Sequence, residues 1–136
     1  YTDVLRAIMQ VEWGGEPDDL MQSSGSLELP PDSLQQEASI RQGCSYFAHL
    51  LHRAESESCD LDTVIQAYNY GSGFIDYVAE HGGKYTLELS EKFAQQQSGG
   101  ATVPYDNPIA VKRNDGWRYA YGNMFYAKLV NQHLVR

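Results

Sequence analysis

Residues 60–71, with the sequence DLDTVIQAYNYG, indicate the fold most clearly. Their larger apolar side chains recur at the three- and four-residue spacing of one helix face: Leu61, Val64, Ile65 and Tyr68. We expect a helix that starts near Asp60, with Asp62 in its first turn, because a carboxylate there complements the positive end of the helix dipole. Gly71 should end this helix, since glycine readily adopts the backbone conformation that follows one.

The same spacing extends toward the N-terminus and predicts two further helices. The first ends at Gly14-Gly15, and the second runs from about Ser39 to Arg53. Their expected buried positions are Val4, Ile8 and Val11 in the first helix, and Ile40, Cys44, Phe47 and Leu51 in the second. Residues 15–37 are rich in Pro, Ser, Asp and Gly, so we expect a long ordered loop, and such loops are often functional.

Downstream of residue 71, the pattern predicts three shorter helices. Phe74, Ile75 and Val78 indicate the first of them. Thr86 is expected to cap the second, in which Leu89 and Phe93 face inward. The third is expected from about Asn123 to Val135, and its predicted buried residues are Phe125, Leu129 and Val130.

Residues 95–116 lack a helical pattern and predict a polar loop. A small hairpin here would pair residues 111–112 with 117–119 through the turn Asn114-Asp115-Gly116. The predicted fold class is therefore all-α, with at most this one hairpin. A length of 136 residues fits a single domain, 1–136, since no repeat or linker divides the chain.

Composition and charge exclude several functional classes. The formal net charge is −8, which argues against nucleic acid as a partner because binding a phosphate backbone requires a basic surface. No stretch approaches the roughly 18 apolar residues of a membrane span, so we expect no membrane contact from this segment. An exporting or anchoring segment is expected to lie outside these residues.

The two cysteines, Cys44 and Cys59, leave their oxidation state open. They would pair in an oxidising compartment and remain buried thiols in a reducing one. Their spacing with His49 and His52 matches no standard zinc pattern, so no metal site is expected. The sequence also lacks a phosphate loop and the common serine and zinc hydrolase motifs, and no cofactor is expected.

Glu12 is the first candidate for chemistry. It follows Ile8 by four residues and Leu5 by seven, so its side chain should border the apolar face of the first helix. Partial burial and the negative end of the helix dipole would both favour the protonated acid. A carboxylic acid that is protonated near neutral pH can donate a proton to a leaving oxygen, as glycoside cleavage requires. Position alone favours an ordinary half-exposed glutamate at a helix end over a catalytic acid.

Several segments, taken in order, resemble a known family. Glu12-Trp13-Gly14-Gly15, Leu20-Met21-Gln22-Ser23-Ser24 and Ala67-Tyr68-Asn69-Tyr70-Gly71 are similar to signatures of the soluble lytic transglycosylase and goose-type lysozyme superfamily. Residues 7–12, 21–24, 39–43, 66–75 and 121–126 together resemble more closely the lysozyme-like muramidase domain of Gram-positive bacteria. That domain is often joined to a cysteine endopeptidase module and found on conjugative elements. The resemblance implies a lysozyme-like helical domain with a substrate cleft.

The resemblance also implies roles for individual residues. Glu12 would be the general acid that protonates the oxygen between N-acetylmuramic acid and N-acetylglucosamine. Met21 and Gln22 would form the floor of the cleft, with Gln22 and Ser23 offering polar groups to the sugar. Tyr68 and Asn69 would face Glu12 and hold N-acetyl and hydroxyl groups. Core packing for Tyr68 and a helix stop at Asn69 are the alternatives.

Two departures from the family pattern affect the mechanism. Trp13 stands where relatives have Ser, and Gly25 stands where they commonly have Glu, which removes one candidate for the second carboxylate. Asp19 is our first candidate for that group and Asp18 the second, although both also fit solvated loop charges. With such a base, water attacks and the glycan is hydrolysed. Without one, the 6-hydroxyl of muramic acid attacks and an anhydro product forms.

The resemblance finally implies a setting for the chain. The expected partners are peptidoglycan glycan strands, met outside the cell at the wall during conjugation or wall remodelling. We expect a monomer, with a peptidase module in the parent chain. A non-catalytic peptidoglycan-binding module on the same scaffold is the main alternative, because a fold can persist after its chemistry is lost.

Overall fold

The computed structural model describes residues 1–13 and 31–134, with the backbone alone for residues 13 and 31–37. In chain order these residues form α1 (Thr2–Trp13), α2 (Pro31–Ser56), α3 (Leu61–Tyr70), α4 (Gly73–Ala79), α5 (Leu87–Ser98), β1 (Thr102–Pro104), α6 (Pro108–Asn114), β2 (Trp117–Tyr119) and α7 (Tyr126–Asn131). The fold is mostly helical with one two-stranded sheet, as predicted. Within these ranges, no helix combines the length and apolarity needed to cross a membrane.

The chain divides into two compact units. The first comprises residues 1–49 and 129–136, and the second comprises residues 50–128. In the first unit, α1 ends at Trp13 as predicted, and its buried side chains are Val4, Ala7, Ile8 and Met9. The ring of Tyr1 lies 6.0 Å from that of Phe47, which is buried.

Helix α2 starts earlier than the sequence pattern predicted. It begins at Pro31 rather than near Ser39, so residues 31–37 are helical and not part of a loop. Proline favours the first position of a helix because its fixed φ suits the helix and its missing N–H is not needed there. Leu, Gln and Glu follow within residues 34–37 and have good helix propensity. The rest of the predicted loop lies outside the described residues.

Helix α3 starts where the sequence predicted. Asp60 caps it, because Oδ1 accepts a 3.1 Å hydrogen bond from the backbone N–H of Thr63. The same carboxylate accepts a hydrogen bond from the N–H of Tyr85 at 3.1 Å, which joins α3 to the segment before α5. Val64 and Ile65 are buried as predicted, whereas Leu61 and Tyr68 are only half-buried.

Helices α4 and α5 also confirm the sequence pattern. Phe74, Ile75 and Val78 of α4 are fully buried. Thr86 caps α5 by accepting a 3.1 Å hydrogen bond from the N–H of Leu89, and Phe93 is buried while Leu89 is half-buried. The core of the second unit is aromatic, with the rings of Tyr70, Phe74 and Phe93 lying 5.2–5.3 Å apart.

The small sheet corrects the predicted hairpin. Strand β2 lies at residues 117–119 as expected, but its antiparallel partner is β1, with Val103 opposite Arg118. The expected partner, residues 111–112, belongs to α6. Asn107 caps α6 through a hydrogen bond from the N–H of Ile109, and Pro108 occupies the first turn, so local capping favours helix over strand here.

Helix α7 is shorter than predicted at both ends. It covers Tyr126–Asn131 instead of residues 123–135. Asn123 lies outside it because its side-chain Oδ1 accepts a hydrogen bond from the N–H of Phe125, a local turn that competes with helix formation. Phe125 and Val130 are fully buried as expected, and Leu129 is half-buried.

Candidate functional site

Glu12 is the penultimate residue of α1, and its side chain is exposed. The expectation of partial burial is therefore wrong. The buried residues of α1 extend only to Met9, one turn before the end of the helix. Glu12 lies beyond that last buried turn, so it is exposed although its angular position matches the apolar face. Exposure leaves the Glu12 carboxyl accessible to a ligand from solvent.

The predicted floor of the cleft belongs to residues 14–30. Asp19, Met21, Gln22 and Ser23 lie outside the described residues, and so does the side chain of Trp13. Their roles stay predictions.

Tyr68 and Asn69 occupy the last turn of α3, and both are half-buried. Tyr68 is thus not the fully packed core residue that the apolar spacing allowed. Gly71 ends the helix with a φ of 93° and donates its N–H to the carbonyl oxygen of Ala67 at 2.6 Å. These two predicted site residues belong to the second unit, whereas Glu12 belongs to the first.

Asn69 does more than stop a helix. Its Oδ1 accepts a 2.7 Å hydrogen bond from the backbone N–H of Asn123, 54 residues later in the chain. This bond attaches the end of α3 to the turn that precedes α7. The structure therefore brings Asn69 together with residues 122 and 123, which the sequence pattern included in the family resemblance without assigning them a role.

Gln66, one helical turn before Asn69 in α3, also forms hydrogen bonds to the segment around Asn123. Its side chain is fully buried, and its Nε2 donates to the carbonyl oxygen of Asn123 at 2.8 Å. Its Oε1 accepts from the N–H of Ala127 at 3.0 Å. A buried glutamine requires such partners, so a glutamine three residues before Asn69 on a predicted buried helix is the sequence signal that could have revealed this contact.

Asn123 is bonded through its side chain as well. Its Nδ2 donates to the hydroxyl of Tyr105 at 3.1 Å. The ring of Tyr105 stacks on that of Phe125, with centroids 6.1 Å apart. The guanidinium of Arg118 lies over the Tyr105 ring, 5.3 Å from its centroid. Arg118 also donates to the carbonyl oxygen of Gly122. The turn at residues 122–123 is thus fixed by hydrogen bonds with several side chains: Gln66, Asn69, Tyr105 and Arg118.

A side chain at position 122 would force its neighbours to move. Its φ is 49°, and a Cβ atom there would lie 2.5 Å from Oδ1 of Asn69 and 2.9 Å from the ring of Tyr70. Both distances are well below van der Waals contact. The close approach of the turn to α3 therefore depends on glycine.

Tyrosine and serine hydroxyls form further hydrogen bonds between this region and α5. The Tyr121 hydroxyl donates to the carbonyl oxygen of Tyr70 at 3.2 Å, and the Tyr70 hydroxyl donates to that of Ser90 at 3.1 Å. The Ser90 hydroxyl donates to the carbonyl oxygen of Met124 at 2.8 Å. Burial raises the pKa of the Tyr70 and Tyr85 phenols well above the usual range, so both remain neutral.

The two cysteines are free thiols in the described part of the chain. The Cys59 thiol donates to the carbonyl oxygen of Ile75 at 3.6 Å, and partial burial, followed by the nearby carboxylate of Asp60, raises its pKa. Residues 1–13 and 31–134 hold no cluster of three or more His, Cys, Asp or Glu side chains that could bind a metal ion.

Comparison with known proteins places this arrangement in a family. The chain is 37% identical over 133 residues to the uncharacterized membrane protein YocA of Bacillus subtilis (strain 168), and the match covers 97% of this chain and 59% of YocA. It is 42% identical over 97 residues to the bifunctional muramidase/DL-endopeptidase CwlT of the same organism, which covers 71% of this chain and 29% of CwlT. The chain thus spans well under two thirds of either relative.

A solved structure has the same fold. A Staphylococcus aureus subsp. aureus Mu50 protein, described as similar to a lipoprotein of the NLP/P60 family, superposes with a TM-score of 0.85 at 56% identity. The match covers 100% of this chain and 46% of that one. The family model described as lysozyme-like matches residues 1–134. Because this family model matches almost the whole length of the chain, the chain belongs to the lysozyme-like family.

Proposed function

We propose that this chain is a peptidoglycan hydrolase domain that cleaves the β-1,4 bond between N-acetylmuramic acid and N-acetylglucosamine. The observation that most supports the proposal is the 42% identity to a relative named as a muramidase, over 71% of this chain. The exposed position of Glu12 near the end of α1 is compatible with a group that must meet a polymer from solvent.

Glu12 is the proposed general acid. Its carboxylic acid transfers a proton to the glycosidic oxygen as the bond to C1 of the muramic acid breaks, and the leaving sugar departs with a free 4-hydroxyl. Asp19 is the proposed general base, which takes a proton from the water that attacks C1 on the opposite face. In that inverting arrangement, the two carboxyl groups are roughly 6.5–9.5 Å apart.

Substrate contacts are proposed for five further residues: Met21, Gln22, Ser23, Tyr68 and Asn69. The last two supply polar atoms at the end of α3, where both side chains are half-buried and thus reachable. We propose that the domain acts as a monomer on glycan strands outside the cell, at the wall, without a cofactor. A peptidase module in the parent chain and a role in conjugation belong to the same proposal.

The test is digestion of purified peptidoglycan by the wild-type chain and by Glu12→Gln, with mass spectrometry of the released fragments. Soluble fragments from the wild type alone are expected, because an amide cannot donate the required proton. Glu55→Gln is the matched control, since Glu55 is also exposed in the last turn of a helix. Equal release by all three proteins would exclude Glu12 as the acid.

The chemistry of the fragments distinguishes the remaining mechanisms. Reducible muramic acid ends indicate hydrolysis, and 1,6-anhydro ends indicate a lytic transglycosylase. A wild-type chain that sediments with the wall but releases nothing would replace the hydrolase with a binding module.

A further inference from the structure

We infer that Gly122 and Asn123 are positioning residues that turn the Asn69 amide so that its NH2 group faces the ligand. Asn69 then presents its donor end to the ligand, and the ligand atom it meets is an acceptor oxygen, such as the carbonyl oxygen of an acetamido group. That the ligand is a glycan rests on the proposed function. The orientation of the amide rests on geometry alone.

The first step is the polarity of the amide. A side-chain amide has an acceptor end and a donor end, and only the hydrogen-bond network tells which is which. Here the partner is the backbone N–H of Asn123, which can only donate. Oδ1 of Asn69 must therefore point into the protein, and Nδ2 must point away from the turn.

The second step concerns the donor end. Among the residues that the structure describes, Nδ2 of Asn69 donates to no protein group. The side chain is half-buried, and Nδ2 is not among the polar atoms that are sealed from solvent without a partner. Both N–H groups of Nδ2 thus remain for a ligand, whereas Oδ1 faces the turn and already accepts from Asn123.

The third step is the rigidity of the turn. The peptide group between Gly122 and Asn123 is held at both ends, because its carbonyl accepts from Arg118 and its N–H donates to Asn69. Gln66, which is fully buried, holds the next carbonyl. The direction of the N–H is fixed before any ligand arrives, so no binding free energy is needed to orient the amide.

The fourth step explains Gly122. Any Cβ atom at this position would lie 2.5 Å from Oδ1 of Asn69 and would displace the amide directly. Gly122 touches no ligand in this scheme and acts through Asn69. It is therefore a positioning residue, whose effect on binding should disappear once the Asn69 amide is gone.

The first experiment measures binding of soluble, N-acetylated glycan fragments of peptidoglycan to the chain carrying Asn69→Asp. The introduced carboxylate keeps an oxygen for the N–H of Asn123, so the unfolding midpoint should stay close to that of the wild type. At pH 7 the variant offers the ligand acceptors only, and we expect Kd to rise about tenfold or more. Below about pH 4 the protonated carboxyl can donate again, and affinity should recover.

Gln95→Glu is the control for the added charge, because Gln95 is exposed on α5 in the same unit. Its Kd should match that of the wild type at both pH values. An Asn69→Asp variant that binds as tightly as the wild type at pH 7 would overturn the donor assignment. Weak binding that does not recover at low pH would overturn it too.

The second experiment is a double-mutant cycle of Gly122→Ala and Asn69→Ala. If Gly122 acts through the amide, Gly122→Ala weakens binding in the wild type but has little further effect on Asn69→Ala. Additive losses would overturn the positioning role. If Gly122→Ala does not fold, the pH dependence of Asn69→Asp still decides whether the amide presents its donor end to the ligand.

The outcomes separate this inference from the proposed function. A wild-type chain that cleaves or binds glycans while Asn69→Asp does so equally well contradicts this inference alone. A wild-type chain that neither cleaves nor binds them contradicts the proposed function, and the donor role toward a glycan falls with it.

Discussion

Nε2 of Gln66 donates a 2.8 Å hydrogen bond to the carbonyl oxygen of Asn123, although the two residues are 57 positions apart. At the other end of the same amide, Oε1 accepts from the N–H of Ala127 at 3.0 Å. One fully buried side chain thus bonds two backbone groups around the start of α7, in addition to the local hydrogen bond from the N–H of Tyr126 to the carbonyl oxygen of Asn123.

Replacing Gln66 should therefore destabilise the fold strongly. In Gln66→Leu the volume is nearly kept, but the N–H of Ala127 and the carbonyl oxygen of Asn123 each lose the hydrogen bond to this buried amide. We therefore expect a loss of about 2–3 kcal/mol in the free energy of unfolding. Urea denaturation followed by circular dichroism measures it. Gln95→Leu, at an exposed position of α5, should change the free energy by less than about 0.5 kcal/mol. Equal losses would contradict this role of Gln66.

The two helix caps should differ in their contribution. Thr86 accepts one hydrogen bond from the N–H of Leu89, so Thr86→Ala should cost about 1 kcal/mol. The Asp60 carboxylate accepts from the N–H groups of both Thr63 and Tyr85, so Asp60→Ala should cost about 2–3 kcal/mol. The same denaturation measurement tests the order, and a larger loss for Thr86→Ala would refute it.

Two buried tyrosines should respond differently to loss of the hydroxyl. The Tyr70 hydroxyl donates to the carbonyl oxygen of Ser90, so Tyr70→Phe should cost about 1–2 kcal/mol. In the described part of the chain, the buried hydroxyl of Tyr85 makes no hydrogen bond of normal geometry, although the Ser90 side chain lies near enough to oppose the effect of burial on its pKa. Tyr85→Phe should therefore be neutral or slightly stabilising. A substantial loss for Tyr85→Phe in thermal denaturation would show that its hydroxyl is satisfied.

Alkaline pH should destabilise the protein through the same tyrosines. Burial raises the pKa of the Tyr70 and Tyr85 phenols above the ordinary value of about 10. The folded state then binds more protons than the unfolded state, so stability is complete below about pH 10 and falls as the pH rises further. Urea midpoints between pH 8 and 11 measure this fall, and the variant with both Tyr70→Phe and Tyr85→Phe should show a shallower one. An unchanged slope would assign the fall to other groups.

Local interactions determined much of this protein from its sequence alone. The start of α3 at Asp60, the cap of α5 at Thr86 and the stop at Gly71 each depend on atoms within four residues along the chain. Helical periodicity depends on the same short range. The order of the motifs alone indicates the lysozyme-like family, and the family match over residues 1–134 confirms it.

The tertiary structure decided the long-range pairings. Asn107 and Pro108 mark residues 111–112 as helical in the sequence, but the pairing of β2 with residues 102–104 depends on where α6 places the chain. The exposure of Glu12 depends on where the buried turns of α1 end. The contact between Asn69 and Asn123 requires a close approach across 54 residues that a single glycine permits. Such contacts form only when distant segments fold together. Helix propensity and periodicity reflect local interactions alone, so they do not predict these contacts.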